Sequence, residues 1–172
     1  TDVAIYVISC IQEVYCKHTT DATNGMMAET LDFAGLMAAS PFHRWLGVEL
    51  TRIEPGAVEV RMPYREEFRG DDEATHIHGG VIATLADIAA CFAVMSAINR
   101  DAPSLDLDVE YLRMVPAGVG LIASAHAVKV GRTIGVADVE IRTEDGRQVA
   151  VARAKVVTNA PTRDTLTQKE GS

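Results

Sequence analysis

The sequence predicts an α+β domain in which an antiparallel sheet of about six strands curls around one long central helix. The run from Val81 to Ile98 carries one charge, Asp87, in 18 residues, so a helix there is apolar on every face. Beyond Pro103 the pattern switches to alternating apolar and polar residues over several long segments, the signature of strands. Pro55-Gly56 and Glu144-Asp145-Gly146 each sit between two such segments and mark hairpin turns. Packing the helix on a flat sheet would leave half of its apolar surface in water, whereas a sheet that curls around it covers all of it.

In chain order, residues 1–35 show weak periodicity, and the polar stretch His18–Gly25 reads as a loop after a loosely attached N-terminal helical extension. The core domain is expected over residues 36–158. It opens with a short helical piece from Ala38 to Leu46, broken by Pro41, that leads into Gly47. VELTRIE and AVEVRMPYR, on either side of Pro55-Gly56, give the first two strands, and Glu66–His78 is charged and irregular. Gly79 and Gly80 open the long helix. SLDLDVEYLR from Ser104, GLIASAHAVKVG from Gly120 and a hairpin from Arg132 to Thr158 supply the remaining strands. Residues 159–172 form a polar tail.

Composition narrows the function classes. The 172 residues are 48% apolar and 23% charged, enough for one globular domain with a sizeable core. A net charge of -8 with no basic run argues against a general nucleic-acid binder, which needs clustered cations to displace counterions. Cys10, Cys16 and Cys91 match neither a disulfide framework nor a zinc site, and read as small core residues in a reducing cytosol. Asp2, Gln12 and Glu13 interrupt the first apolar stretches, so a signal peptide is not expected and a cytoplasmic location is. Val81–Ile98 is long enough to span a membrane, but its many alanines and the lack of a basic flank before it favour a helix wrapped by protein.

Chemistry concentrates between His78 and Asp87. Glycines in the first turn of a helix expose backbone N–H groups without intrahelical partners, where the helix dipole is positive. Such a site suits a carbonyl oxygen that becomes an oxyanion, and the missing side chains let a substrate approach. A plain loop-to-helix junction is the alternative. Asp87, a lone carboxylate in an uncharged helix, either serves as general base or nucleophile, or bonds a neighbouring backbone group. Gly79 and Asp87 lie eight residues apart, about 12 Å along the axis. One carbonyl carbon cannot touch both, so if both serve one substrate they come from two chains, across a dimer interface.

The run IHGGVIATLADIAACFAVMSA, followed by SLDLDVEYLRMVPAG and VKVGRTIGVADVEIRTEDG, resembles the phenylacetate-degradation branch of the hotdog-fold acyl-CoA thioesterases. The resemblance covers roughly Leu36 to Thr158 and is most specific in HGG, with an Asp nine residues after the His, in Tyr111-Leu112-Arg113 and in Gly131-Arg132. It implies dimers often paired into tetramers, and hydrolysis of acyl-CoA without metal or any cofactor beyond the coenzyme A of the substrate. It also implies roles for residues. Gly79 would polarise the thioester carbonyl, with His78 shaping the loop and Gly80 beside it. Asp87 from the other chain would activate water or attack directly, and Ser104 would orient the water. Where some members carry an Asn six residues before the His, as a second donor to the carbonyl, this chain has Asp72, which when ionised only accepts hydrogen bonds.

Coenzyme A brings phosphates, for which Arg132, and after it Lys129 and Arg113, are the candidate cations. His43, His76 and His126 read as surface or packing residues, because they lack the paired spacing of a metal site. Phe92, Met95 and Met114 suggest an apolar acyl group, aromatic or medium-chain. Two other activities compete: a hotdog-fold enoyl-CoA hydratase or dehydratase, whose motifs are not visible, and a non-catalytic acyl-CoA sensor, which would be expected to carry a DNA-binding module.

Overall fold

The structure is a computed structural model that describes residues 30–73 and 75–160. The expected N-terminal extension, apart from its last residues, and most of the polar tail lie outside the described residues, as do Cys10 and Cys16. The compact unit begins at Leu31. Its elements are α1 (Phe33–Ala39), α2 (Pro41–Leu46), β1 (Glu49–Glu54), β2 (Ala57–Met62), α3 (Gly79–Ile98), β3 (Ser104–Tyr111), β4 (Leu121–Val130), β5 (Ile134–Thr143) and β6 (Gln148–Val157). A single 3-10 turn, Glu66–Phe68, lies between β2 and α3.

The one short helix expected from Ala38 is instead two. Asp32 caps α1 by accepting from the Gly35 N–H at 2.9 Å, which starts the helix earlier than the apolar pattern suggested. Ser40 caps α2 with Pro41 in its first turn, so that proline begins a helix where it was expected to break one. Arg44 Nη1 donates to the carbonyls of Ala38 and Ala39 at 2.9 and 2.8 Å, satisfying the end of α1.

All six strands form one antiparallel sheet in the order β1-β2-β4-β5-β6-β3. Its inner face presents Val60, Met62, Ala123, Ala137, Ile141 and Ala154, all buried, to α3. Breaks in register in β1, β3, β4 and β6 add the local twist that lets the sheet curl. Small residues let the layers approach. Ala86, Ala89, Ala90 and Ala93 of α3 are fully buried. At Gly135 a Cβ would stand 2.7 Å from Val94 Cγ1, so the sheet passes too close to the helix there for any side chain. By length and composition α3 is fit to cross a membrane, yet 61% of its most apolar stretch is buried inside this fold.

The edges differ. β1 is mostly exposed and carries Glu49, Arg52 and Glu54, charges that discourage further pairing. β3, at the other edge, turns Leu107 and Val109 toward the core but leaves Leu105 59% exposed and Tyr111 53% exposed. Leu112 and Met114, just beyond the strand, are exposed too.

Leu85 is fully buried at the middle of the packed layers. Leu85→Ala is expected to lower unfolding stability by about 3 kcal/mol through lost transfer energy and a cavity. Urea denaturation followed by circular dichroism checks this; a loss below about 1 kcal/mol would mean the helix is not wrapped on that side.

Candidate active site

At the start of α3, His78 is the N-cap and its Nδ1 accepts from the Gly80 N–H at 2.9 Å. This settles which amide is available. The Gly80 N–H is occupied by the cap and the Val81 N–H donates to the His78 carbonyl at 3.0 Å. Among the described residues no acceptor meets the Gly79 N–H. Gly80, expected beside the substrate, therefore serves the cap: a Cβ there would stand 3.0 Å from His78 Nδ1. Thr84 Oγ1 donates to the Gly80 carbonyl and Tyr111 Oη to the Gly79 carbonyl, at 2.9 and 3.0 Å.

Gly79 opens onto a cleft of about 290 Å³ whose walls are mainly apolar, among them Ile77, Ile82, Leu112 and Met114. Arg113 and His76 also line it. Arg113 Nη1 donates to the Gln148 carbonyl at 2.8 Å, which holds the guanidinium at the cleft. His76 Nδ1 lies 3.0 Å from an Asp71 carboxylate oxygen, and the same carboxylate accepts from the Thr75 N–H at 3.0 Å. Asp71 thus orders this loop, while Asp72, the position singled out in the sequence, is exposed and outside the cleft lining.

Asp87 is half-buried further along α3. One turn on, Cys91 contacts Ser104 at the start of β3, and burial pushes its thiol up to about 12, with the Asp87 charge adding to the effect. Cys91 is therefore a protonated packing residue. His43 of α2 faces the same side of the helix, its ring centroid 6.2 Å from that of Phe92. Burial pushes its imidazole below the ordinary value, while the Met37 backbone and the Asp87 charge pull the other way. Its Nδ1 is buried without a hydrogen-bond partner among the described residues. The proximity of His43 to Asp87 was missed in the sequence, where 44 positions separate them without a shared motif.

Within one chain the fold divides the predicted site residues into two groups. Gly79, His78 and Arg113 gather at the start of α3, next to the end of β3 at Tyr111. Asp87 and Ser104 belong to the other end of that strand. Val156 pairs with Ser104 on one side and Gly135 on the other, which brings the β4–β5 turn and its Arg132 toward Ser104. Gly135 packs on Val94, 15 residues past Gly79 and so about 22 Å along the helix. Arg132 and Lys129 are thus remote from the cleft that Arg113 lines in the same chain. His126 is exposed on β4. Among the described residues no three His, Cys, Asp or Glu side chains gather as metal ligands would.

Residues 74–150 match the family model described as the thioesterase superfamily. A Halobacterium salinarum protein that carries an esterase name is 40% identical over 105 residues, covering 58% of this chain and 68% of that protein. The medium/long-chain acyl-CoA thioesterase YigI of Salmonella typhimurium is 31% identical over 129 residues, 66% of this chain and 83% of that one. Among solved structures, the Escherichia coli PaaI protein from the phenylacetic acid degradation operon superposes with a TM-score of 0.68 at 26% identity, over 74% of this chain and 91% of that one.

His43 yields a stability prediction independent of any activity. Its folded-state value lies below the ordinary 6.5, so below that pH the unfolded chain accepts a proton that the folded protein resists, and stability falls with pH. His43→Gln should make the urea midpoint less sensitive to pH between about 6.5 and 5. Equal pH slopes in the two proteins would show that His43 is not held neutral by the fold.

Proposed function

The chain belongs to the thioesterase superfamily, and from that premise we propose that it hydrolyses the thioester of an aromatic or medium-chain acyl-CoA to the free acid and coenzyme A. One observation carries the reading: Gly79 at the start of a buried helix, its amide N–H meeting no acceptor among the described residues, lines an apolar cleft. A backbone N–H in that position is a preorganised donor to a carbonyl oxygen as charge develops on it. The apolar walls, a relative named for medium- and long-chain acyl-CoA and a structural neighbour from a phenylacetic acid degradation operon support this choice of acyl class.

In this reading the site is shared by two chains in a homodimer. Gly79 stands by Tyr111 at one end of β3, and Ser104 with the Asp87 region at the other. Antiparallel pairing of β3 with its own copy about the middle of the strand sets Tyr111 opposite the partner's Ser104 and so brings Gly79 toward the partner's Asp87. It would also cover Leu105 and Tyr111, which a single chain leaves in water. The remote Arg132 and Lys129 then approach the cleft from the partner side, while Arg113 is already there, and the three attract the phosphates of coenzyme A.

The chemistry needs few groups. The Gly79 N–H holds the thioester oxygen. The partner's Asp87 takes a proton from water as its oxygen bonds to the carbonyl carbon, with the partner's Ser104 orienting that water. The tetrahedral intermediate collapses, the C–S bond breaks, and the proton passes from the carboxyl group to the departing thiolate. A thiolate leaves with little acid assistance, which suits a site of one amide and one carboxylate.

Release of free thiol from a panel of aromatic and straight-chain acyl-CoAs tests this. Native protein should hydrolyse at least one class, and Asp87→Asn should lower kcat roughly a hundredfold or more with the assembly unchanged. If native protein binds acyl-CoA and releases no thiol, it is a sensor and not a hydrolase.

A further inference from the structure

We propose that Tyr111 is the positioning residue that aims the Gly79 amide at the substrate carbonyl. The inference rests on the thioester hydrolysis read above and adds to it a group outside the His-Gly-Gly to Asp87 segment.

Two consecutive glycines are a poor start for a helix, because glycine loses more backbone freedom on ordering than any other residue. The oxyanion role needs the opposite, an amide fixed before the charge arrives. Among the described residues, three hydrogen bonds made by side chains restrain the glycines of this first turn. Two act on Gly80: His78 Nδ1 accepts its N–H and Thr84 Oγ1 donates to its carbonyl. Both come from residues of the same helix start and move with it. The third acts on Gly79 itself and comes from the sheet, where Tyr111 Oη donates to the Gly79 carbonyl at 3.0 Å across 32 positions of sequence.

The ring reinforces the bond. A Cβ on Gly79 would lie 3.4 Å from Tyr111 Cε1 and Cζ and 3.5 Å from its hydroxyl, so the ring edge lies beside the Gly79 backbone. Ring and glycine line the same cleft. Tyr111 ends β3, a strand held to β6 along its length, so the hydroxyl is a fixed point from outside the helix. Losing the hydroxyl alone would free Gly79 while keeping the ring, the strand and the cleft wall. Because the hydroxyl bonds the Gly79 carbonyl, and through it orders the oxyanion donor, its loss should act on the rate of the chemical step and little on binding.

The test is Tyr111→Phe, in the native background for kinetics and in Asp87→Asn for spectroscopy. With the best acyl-CoA of the panel, kcat should fall about fivefold to tenfold while KM stays within about twofold, as expected for the loss of one hydrogen bond that orders a transition-state donor. In the Asp87→Asn protein a carbonyl-labelled acyl-CoA should show its C=O stretch lowered by binding, and Tyr111→Phe should return the band part of the way to its position in water. Thermal melting and size-exclusion chromatography establish that fold and assembly are unchanged. An unchanged kcat and an unchanged carbonyl band in Tyr111→Phe would overturn the inference while leaving the hydrolase reading in place. Native protein that hydrolyses no acyl-CoA would overturn both, so the two failures are separated by the native enzyme alone.

Discussion

A helix of 20 residues that is apolar on every face must be kept from water, and the architecture follows from that constraint. A six-stranded sheet meets it by curling, which favours alanine on the helix and glycine at Gly135, where a Cβ would crowd Val94. The hotdog fold is the result. Among the polar groups of this helix, two carry the proposed chemistry: the Gly79 amide, which meets no acceptor among the described residues, and the Asp87 carboxylate. The two groups that act directly on the thioester in the proposed reaction are attached to a rod that the surrounding sheet holds still.

That rigidity also sets a limit. Because a helix rises a fixed distance per residue, Gly79 and Asp87 of one chain are held about 12 Å apart and cannot converge on one carbonyl by any local adjustment. The edge strand β3 offers the way around it, since its two ends carry the two halves of the proposed site and its outer edge pairs with no strand among the described residues. In the proposed dimer one pairing completes the sheet, covers the exposed apolar side chains and joins amide to carboxylate.

How much of this was legible depended on distance along the chain. The long helix, the hairpin at Glu144-Asp145-Gly146 and the count of strands follow from periodicity and turn residues, which are local signals. Gly79 and Asp87 were legible because glycines at a helix start and a lone charge in an apolar run stand out by themselves. The division of α1 from α2 was not, because an Asp32 cap and a proline that opens a helix look in sequence like a loop and a break. Strand order was hidden as well: β2 pairs with β4, and β3 with β6, through contacts that no neighbouring residues announce. For the same reason Tyr111 beside Gly79, His43 near Asp87 and the remoteness of Arg132 from the cleft emerged only in three dimensions.

The sharing of one site by two chains is tested most directly by complementation. Gly79→Pro deletes the amide proton at a helix position where proline is well tolerated, and Asp87→Asn removes the carboxylate's basicity. Each variant alone should be nearly inactive at native size. When the two are co-expressed in equal amounts, half of the dimers are mixed and each holds one intact pair, so about a quarter of native activity should return. Activity that stays at the sum of the two variants, in dimers shown to be mixed, would contradict a site built from the amide of one chain and the carboxylate of the other.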